Sequence, residues 1–255
     1  MAAMDEFREE REAVKNGPLK GRIAYFWDYY KWHTIIALFV LFLIGSTIYN
    51  KMTEKESAIH GILLNAFDYN TEDKETNLID DFLKDQKLDP KEYTVTINSA
   101  LGYVADSDSD SMASNYNTMQ ALNAVAGAGE LDFVTGTFTG MQDLAHKGLF
   151  VDLRTILTDE EIKKYEPYFL YMDQAVIEKK EEAFDKIEDV SSIEIPDCTK
   201  PDTMEKPIPV MIDVSKCQKL ITAYGYEPES LAFGITPNAP HTKRALRFLD
   251  YLWTP

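Results

Sequence analysis

From Ile35 to Ile48 the chain reads IIALFVLFLIGSTI, a run with no charge and no proline. No other feature restricts the possible folds so tightly. The stretch free of Asp, Glu, Lys and Arg extends from Trp32 to Tyr49, 18 residues, close to the roughly 20 that a helix needs to cross about 30 Å of hydrocarbon. Just before it, Tyr25-Phe-Trp-Asp-Tyr-Tyr-Lys-Trp32 is aromatic at six of eight positions. Amphipathic rings collect at headgroup depth, so this stretch reads as an interfacial belt. A buried core helix is the first alternative, and nothing else in the N-terminal region could cover it. A cleavable signal peptide is the second. Against it stand 32 preceding residues, acidic from Asp5 to Glu12, and a poor cleavage pattern at Gly45, Ser46 and Thr47. A lipid anchor on cysteine is excluded, because the first cysteine is Cys198. The run reads as an uncleaved signal anchor.

Basic residues set its direction. Lys15, Lys20, Arg22 and Lys31 precede the anchor, whereas only Lys51 and Lys55 lie close behind it. The positive-inside rule puts the N-terminus in the cytoplasm and the C-terminal domain outside the cell membrane. The expected division is a cytoplasmic tail with the aromatic belt over 1–32, the anchor over 33–50, a linker over 51–57 and an extracellular domain over 58–255. The whole formal charge of −17 falls beyond residue 50, which argues against nucleic acid as a partner and leaves the lipid bilayer as the certain one. Two cysteines and four histidines supply neither a disulfide framework nor material for a zinc site.

Beyond the linker the pattern becomes that of an α/β domain. Ala58 to Asn65 is apolar and strand-length, and Lys74 to Lys87 carries Leu78, Ile79, Phe82 and Leu83 at helical spacing. Tyr93 to Ile97 alternates as a strand does, Ser114 to Ala126 reads as a helix, and Leu131 to Thr135 as a third strand. Phe138 to Lys147 is helical with Gly148 as its stop, and Thr158 caps an acidic helix start. Such short alternation predicts a parallel sheet with right-handed crossovers. Asp173 to Asp189 reads as an exposed amphipathic helix and Ser191 to Pro207 as irregular. Ile208 to Val214 and Ser230 to Ile235 read as strands, and His241 to Trp253 as a closing helix.

Leu131 to Leu153, with Val134-Thr-Gly136, Leu144-Ala145, Gly148 and Asp152-Leu153, resembles a segment of extracellular solute-binding proteins of the type 2 periplasmic-binding fold. Leu231 to Ile235, Asn238 and Ala245 to Leu252 resemble that family's closing strand and helix. The aromatic belt before a single anchor is similar to that of Gram-positive membrane proteins. The resemblance implies a periplasmic-binding-like lobe that serves solute capture. At 205 residues beyond the anchor, the second lobe is reduced or missing, and a clamshell needs two lobes.

Open α/β sheets bind ligands at the carboxyl ends of their strands. Those ends place Asn65, Phe67, Asn98, Ser99, Tyr103, Gly136 and Phe138 as candidate contacts for a small polar solute, through amide hydrogen bonds and ring stacking. Ordinary loop chemistry is the competing reading for each. Asp106-Ser-Asp-Ser-Asp110 opens like a calcium loop, but Ser111 and Asn117 stand where such a loop needs Gly and Glu. Cys198 and Cys217 admit either a bridge or two buried thiols. No nucleophile elbow or phosphate loop occurs and the histidines are scattered, so neither enzyme activity, a cofactor nor a metal is expected. Two functions remain: capture of a small polar ligand, or a structural or interaction module for a membrane protein partner. The position of residues 171–206 separates them. Facing the strand ends, they would complete a cleft. Lying at the sheet's edge, they would favour interaction.

Overall fold

The computed structural model describes residues 18–69, 77–105, 109–186, 189–190, 193–227 and 230–253. Two units divide between Glu54 and Lys55.

The first unit contributes one helix, α1 (Leu19–Thr53), of 35 residues. It includes the aromatic belt and runs into the expected linker as far as Thr53. Its stretch Tyr30–Thr53 has a mean hydropathy of 1.8 with none of it buried, and is long and apolar enough to cross a membrane. Thr47 and Thr53 return their hydroxyls to the Leu43 and Tyr49 carbonyls at 2.8 Å, which hides these polar groups within the helix.

The second unit is α/β. Its strands are β1 (Glu56–Leu63), β2 (Tyr93–Asn98), β3 (Phe133–Thr137), β4 (Phe169–Asp173), β5 (Pro207–Asp213) and β6 (Leu231–Ile235), in the order β2-β1-β3-β6-β5-β4. β1 runs parallel to β2 and β3, while β6, β5 and β4 follow in antiparallel pairs. The expected parallel sheet therefore holds for the first three strands only. The reason is the connections: helices α2 (Leu78–Asp85) and α3 (Ser109–Gly127) join β1 to β2 and β2 to β3, long enough for parallel crossovers. The chain then reaches the far edge through α4 (Phe138–His146) and α5 (Asp159–Tyr165). It returns from there by antiparallel steps through α6 (Gln174–Asp185) and α7 (Gln218–Tyr224), and α8 (Thr242–Trp253) closes the domain.

Both sheet faces are covered. One layer packs Phe82 of α2, Leu220 and Tyr224 of α7, and Phe248 and Leu249 of α8 against Ile59, Phe133 and Phe233. The other packs Leu122 of α3 and Met141 and Leu144 of α4 against Ile62, Val134 and Val210. Phe133 and Phe233 stack at 4.6 Å across the β3–β6 junction. Gly61 makes room for this: a Cβ there would lie 2.1 Å from the Phe133 ring. Local chemistry sets the ends of several helices. Asn77 caps α2, Thr158 and Glu161 form a capping box at α5, and Gly148 turns the chain after α4 at φ 79°. Cys198 and Cys217 are free, buried, and in opposite core layers. This rejects the bridge and keeps the two thiols.

The described residues of 171–206 lie along the sheet's edge. β4 is the terminal strand, the Tyr171 amide donates to the Cys198 carbonyl at 2.8 Å, and the Gln142 side chain of α4 donates to the Pro196 carbonyl. At the end of β4 the buried Asp173 carboxylate accepts the amides of Ala175, Glu205 and Lys206 at 2.9–3.0 Å, pinning α6 and the following loop to the edge.

Candidate functional site

β1 leads to β2 on one side and the chain then crosses back over to β3 on the other. The carboxyl ends of β1 and β3 thus form the switch point where this class of sheet opens a crevice. Here the crevice is occupied from within. Tyr226, 8% exposed, donates its hydroxyl to the Leu64 carbonyl at 3.0 Å, with the Thr135 carbonyl 3.5 Å away. Burial holds that phenol well above the usual tyrosine range, so it remains a donor. On the opposite side the loop after β2 is clamped by Asn65. Its side-chain amide donates to the Tyr103 carbonyl at 2.6 Å and accepts the Tyr103 amide at 3.0 Å. Asn65 adopts φ 57°, a left-handed conformation that Asn tolerates better than most residues.

The remaining candidates divide between the layers. Tyr103 is 2% exposed, its ring packed in the core layer with Leu122 and Met141. Phe138 is half-buried against that same layer, while Gly136 is enclosed, with Leu64 and Met141 at 3.3–3.4 Å from where a Cβ would stand. Phe67 is 68% exposed and its amide donates to the Tyr224 carbonyl, on the α7 side. Asn98 turns its side chain onto the Ala100 amide at 2.9 Å, and Ser99 beside it is half-buried. Asn65 and Tyr103 are brought together, with the amide in a scaffolding role. The seven residues do not share one open rim. The acidic run Asp106 to Asp110 lies largely outside the described residues, and no cluster of metal-ligating side chains occurs among those described.

An open groove of about 280 Å³ lies beside this closed crevice, between α3 and α4. The Tyr103 hydroxyl reaches it. There it donates to Asp143 at 2.5 Å and accepts from Lys147 at 2.5 Å, while Lys147 also pairs with Asp143 at 2.8 Å. Burial works to raise the Asp143 carboxyl, but the bonds from Lys147 and Tyr103 outweigh it and hold the group below the usual aspartate range. Burial works to lower Lys147, and Asp143 and Tyr103 hold it above the usual lysine range instead. Burial and the Asp143 bond push the Tyr103 phenol up. The groove's floor is therefore a neutral phenol between balanced charges, with no free base or activated nucleophile among the three. Asn115 bonds both backbone groups of Val104, at 3.1 and 2.6 Å. Around the rim Val104, Met112 and Tyr116 are 52%, 62% and 63% exposed. Sequence reasoning found Tyr103 but missed Asp143, Lys147, Tyr116 and Tyr226. The i, i+4 spacing of Asp143 and Lys147 on a helix face was the available signal.

No protein family, curated protein or solved structure matches this chain. The α/β unit and the one membrane-length helix among the described residues therefore define the class by themselves.

Proposed function

We propose that this chain is a single-pass membrane-anchored recognition module, N-terminus in the cytoplasm, whose outer domain is a lone periplasmic-binding-like lobe. It docks a partner protein on the α3–α4 face and captures no solute at the strand ends. One observation carries this reading: Tyr226 fills the crevice at the β1–β3 switch point and satisfies the carbonyls a ligand would address. The edge position of the described residues of 171–206, tied to β4 and its following loop, supports it. The exposed Val104, Met112 and Tyr116 offer apolar contact around a charged centre, the anatomy of a protein-binding patch. With −17 on the chain, a basic partner is the electrostatically favoured one. Lys15, Lys20, Arg22 and Lys31 before the anchor, against Lys51 and Lys55 close behind it, support the orientation.

Thermal unfolding of the full chain with sugars and polar amino acids tests the closed crevice. A ligand at a hundredfold its Kd would add about 2.7 kcal/mol, a rise of at least about 5 °C for a domain this size. The expected result is no shift with any of them. A saturable rise lost in Phe138→Ala would restore solute capture.

A further inference from the structure

Between α4 and α6 lies a second groove, of about 370 Å³. Phe184 of α6 stands on its wall at 77% exposure, more than any other large apolar side chain among the described residues of the α/β unit. Ile177, two turns earlier on the same helix, is half-buried and lines the groove with Val190. The charges of α6 fall into two sets. Glu178 pairs with Lys206, Lys179 with Glu205 and Glu182 with Lys186. Lys180, Glu181 and Asp185 line the groove instead, and among the described residues they form no ion pair.

Ile177, Lys180, Glu181 and Phe184 recur at the spacing of one helix face. In chain order that face reads apolar, positive, negative, apolar, an order complementary to its own reverse. A two-fold axis through the middle of the stripe sets a second α6 antiparallel to the first. Ile177 then meets Phe184 of the second copy, and Lys180 meets its Glu181. Each contact occurs twice, because an isologous interface repeats every pair. We propose that this face is a homodimer interface, where two copies of the chain pack α6 against α6 and each Phe184 ring enters the other's groove. Charge selects the occupant. A partner surface of one sign meets one favourable and one unfavourable charge at the centre of this stripe, whereas a second copy meets two favourable ones. The two Phe184 rings supply the buried aromatic anchors on which such contacts depend. The interface is independent of the docking face assigned above.

Energy transfer between donor-labelled and acceptor-labelled full chains, diluted in detergent micelles, tests this. Unaltered chains should pair saturably, and Phe184→Ala should weaken pairing more than tenfold, as loss of an aromatic anchor does. Lys180→Glu alone and Glu181→Lys alone should each weaken self-pairing about tenfold, because both central contacts become like-charged. Mixing those two variants should restore pairing, since each supplies the charge that the other lacks. The same rescue shows both variants to be folded. Pairing that none of the substitutions weakens belongs to the membrane helix and overturns the proposal. So does a failure of the two weakened variants to pair with each other, or an unaltered chain that does not pair.

Discussion

Asp143, Lys147 and Tyr103 share three hydrogen bonds at the floor of the α3–α4 groove, and their protonation gives that site a definite pH window. Asp143 is held low, so its contribution is present above the ordinary aspartate range, near pH 4, and is lost as pH falls through its folded value. Lys147 is held high, so its contribution is present below the ordinary lysine range, near pH 10, and is lost as pH rises through its folded value. Asp143→Asn should lower stability by only about 0.5–1 kcal/mol, because the pair is partly solvated. In melts of both proteins, that difference should stay level from about pH 5 to 9 and shrink toward pH 2. A difference that grows on acidification would contradict the assignment. The thiols behave as core atoms. Burial raises Cys198 to about 11 and Cys217 to about 12, so both are neutral and poorly nucleophilic at physiological pH. A thiol reagent should label neither in the native protein and both after unfolding.

At the scale of elements, close ring packing under Gly61 holds the centre of the sheet together. A Cβ there would overlap the Phe133 ring, and that ring is stacked on Phe233 and packed against Phe248, so it has nowhere to move. Gly61→Ala should cost about 1–3 kcal/mol of overpacking, read as a lower denaturant midpoint with an unchanged slope. The first half of the sheet was legible in the sequence because β1, α2, β2, α3 and β3 each carry their own period and stop signal. Thr158 and Gly148 were read correctly for the same reason: capping is local chemistry. In the far half β5, β6 and the closing helix were legible too, but β4 and the strand directions were not. Phe169–Asp173 is a five-residue strand without alternation, and strand direction depends on connections that pass through irregular segments. The site suffered most. Strand ends could be listed from the sequence. That Tyr226 returns to Leu64 across 162 positions is a tertiary fact with no local pattern.

The whole molecule carries a membrane-length helix and an acidic α/β domain that closes the carboxyl ends of β1 and β3 and leaves helical faces open. The described exposed apolar side chains of that domain include Val104, Met112 and Tyr116 on one side of α4 and Phe184 and Val190 on the other. α4 thus forms a ridge between two open surfaces, while the carboxyl ends of β1 and β3 are sealed. Photocrosslinking in the native membrane tests this most directly, with the reactive residue at Tyr116 or, as a control, at exposed Arg247 of α8, on the opposite layer. The expected result is a discrete protein adduct from Tyr116, none from Arg247, and loss of that adduct when Asp143→Lys makes the groove basic and repels a basic partner. No adduct from Tyr116, or an equal one from Arg247, would contradict it.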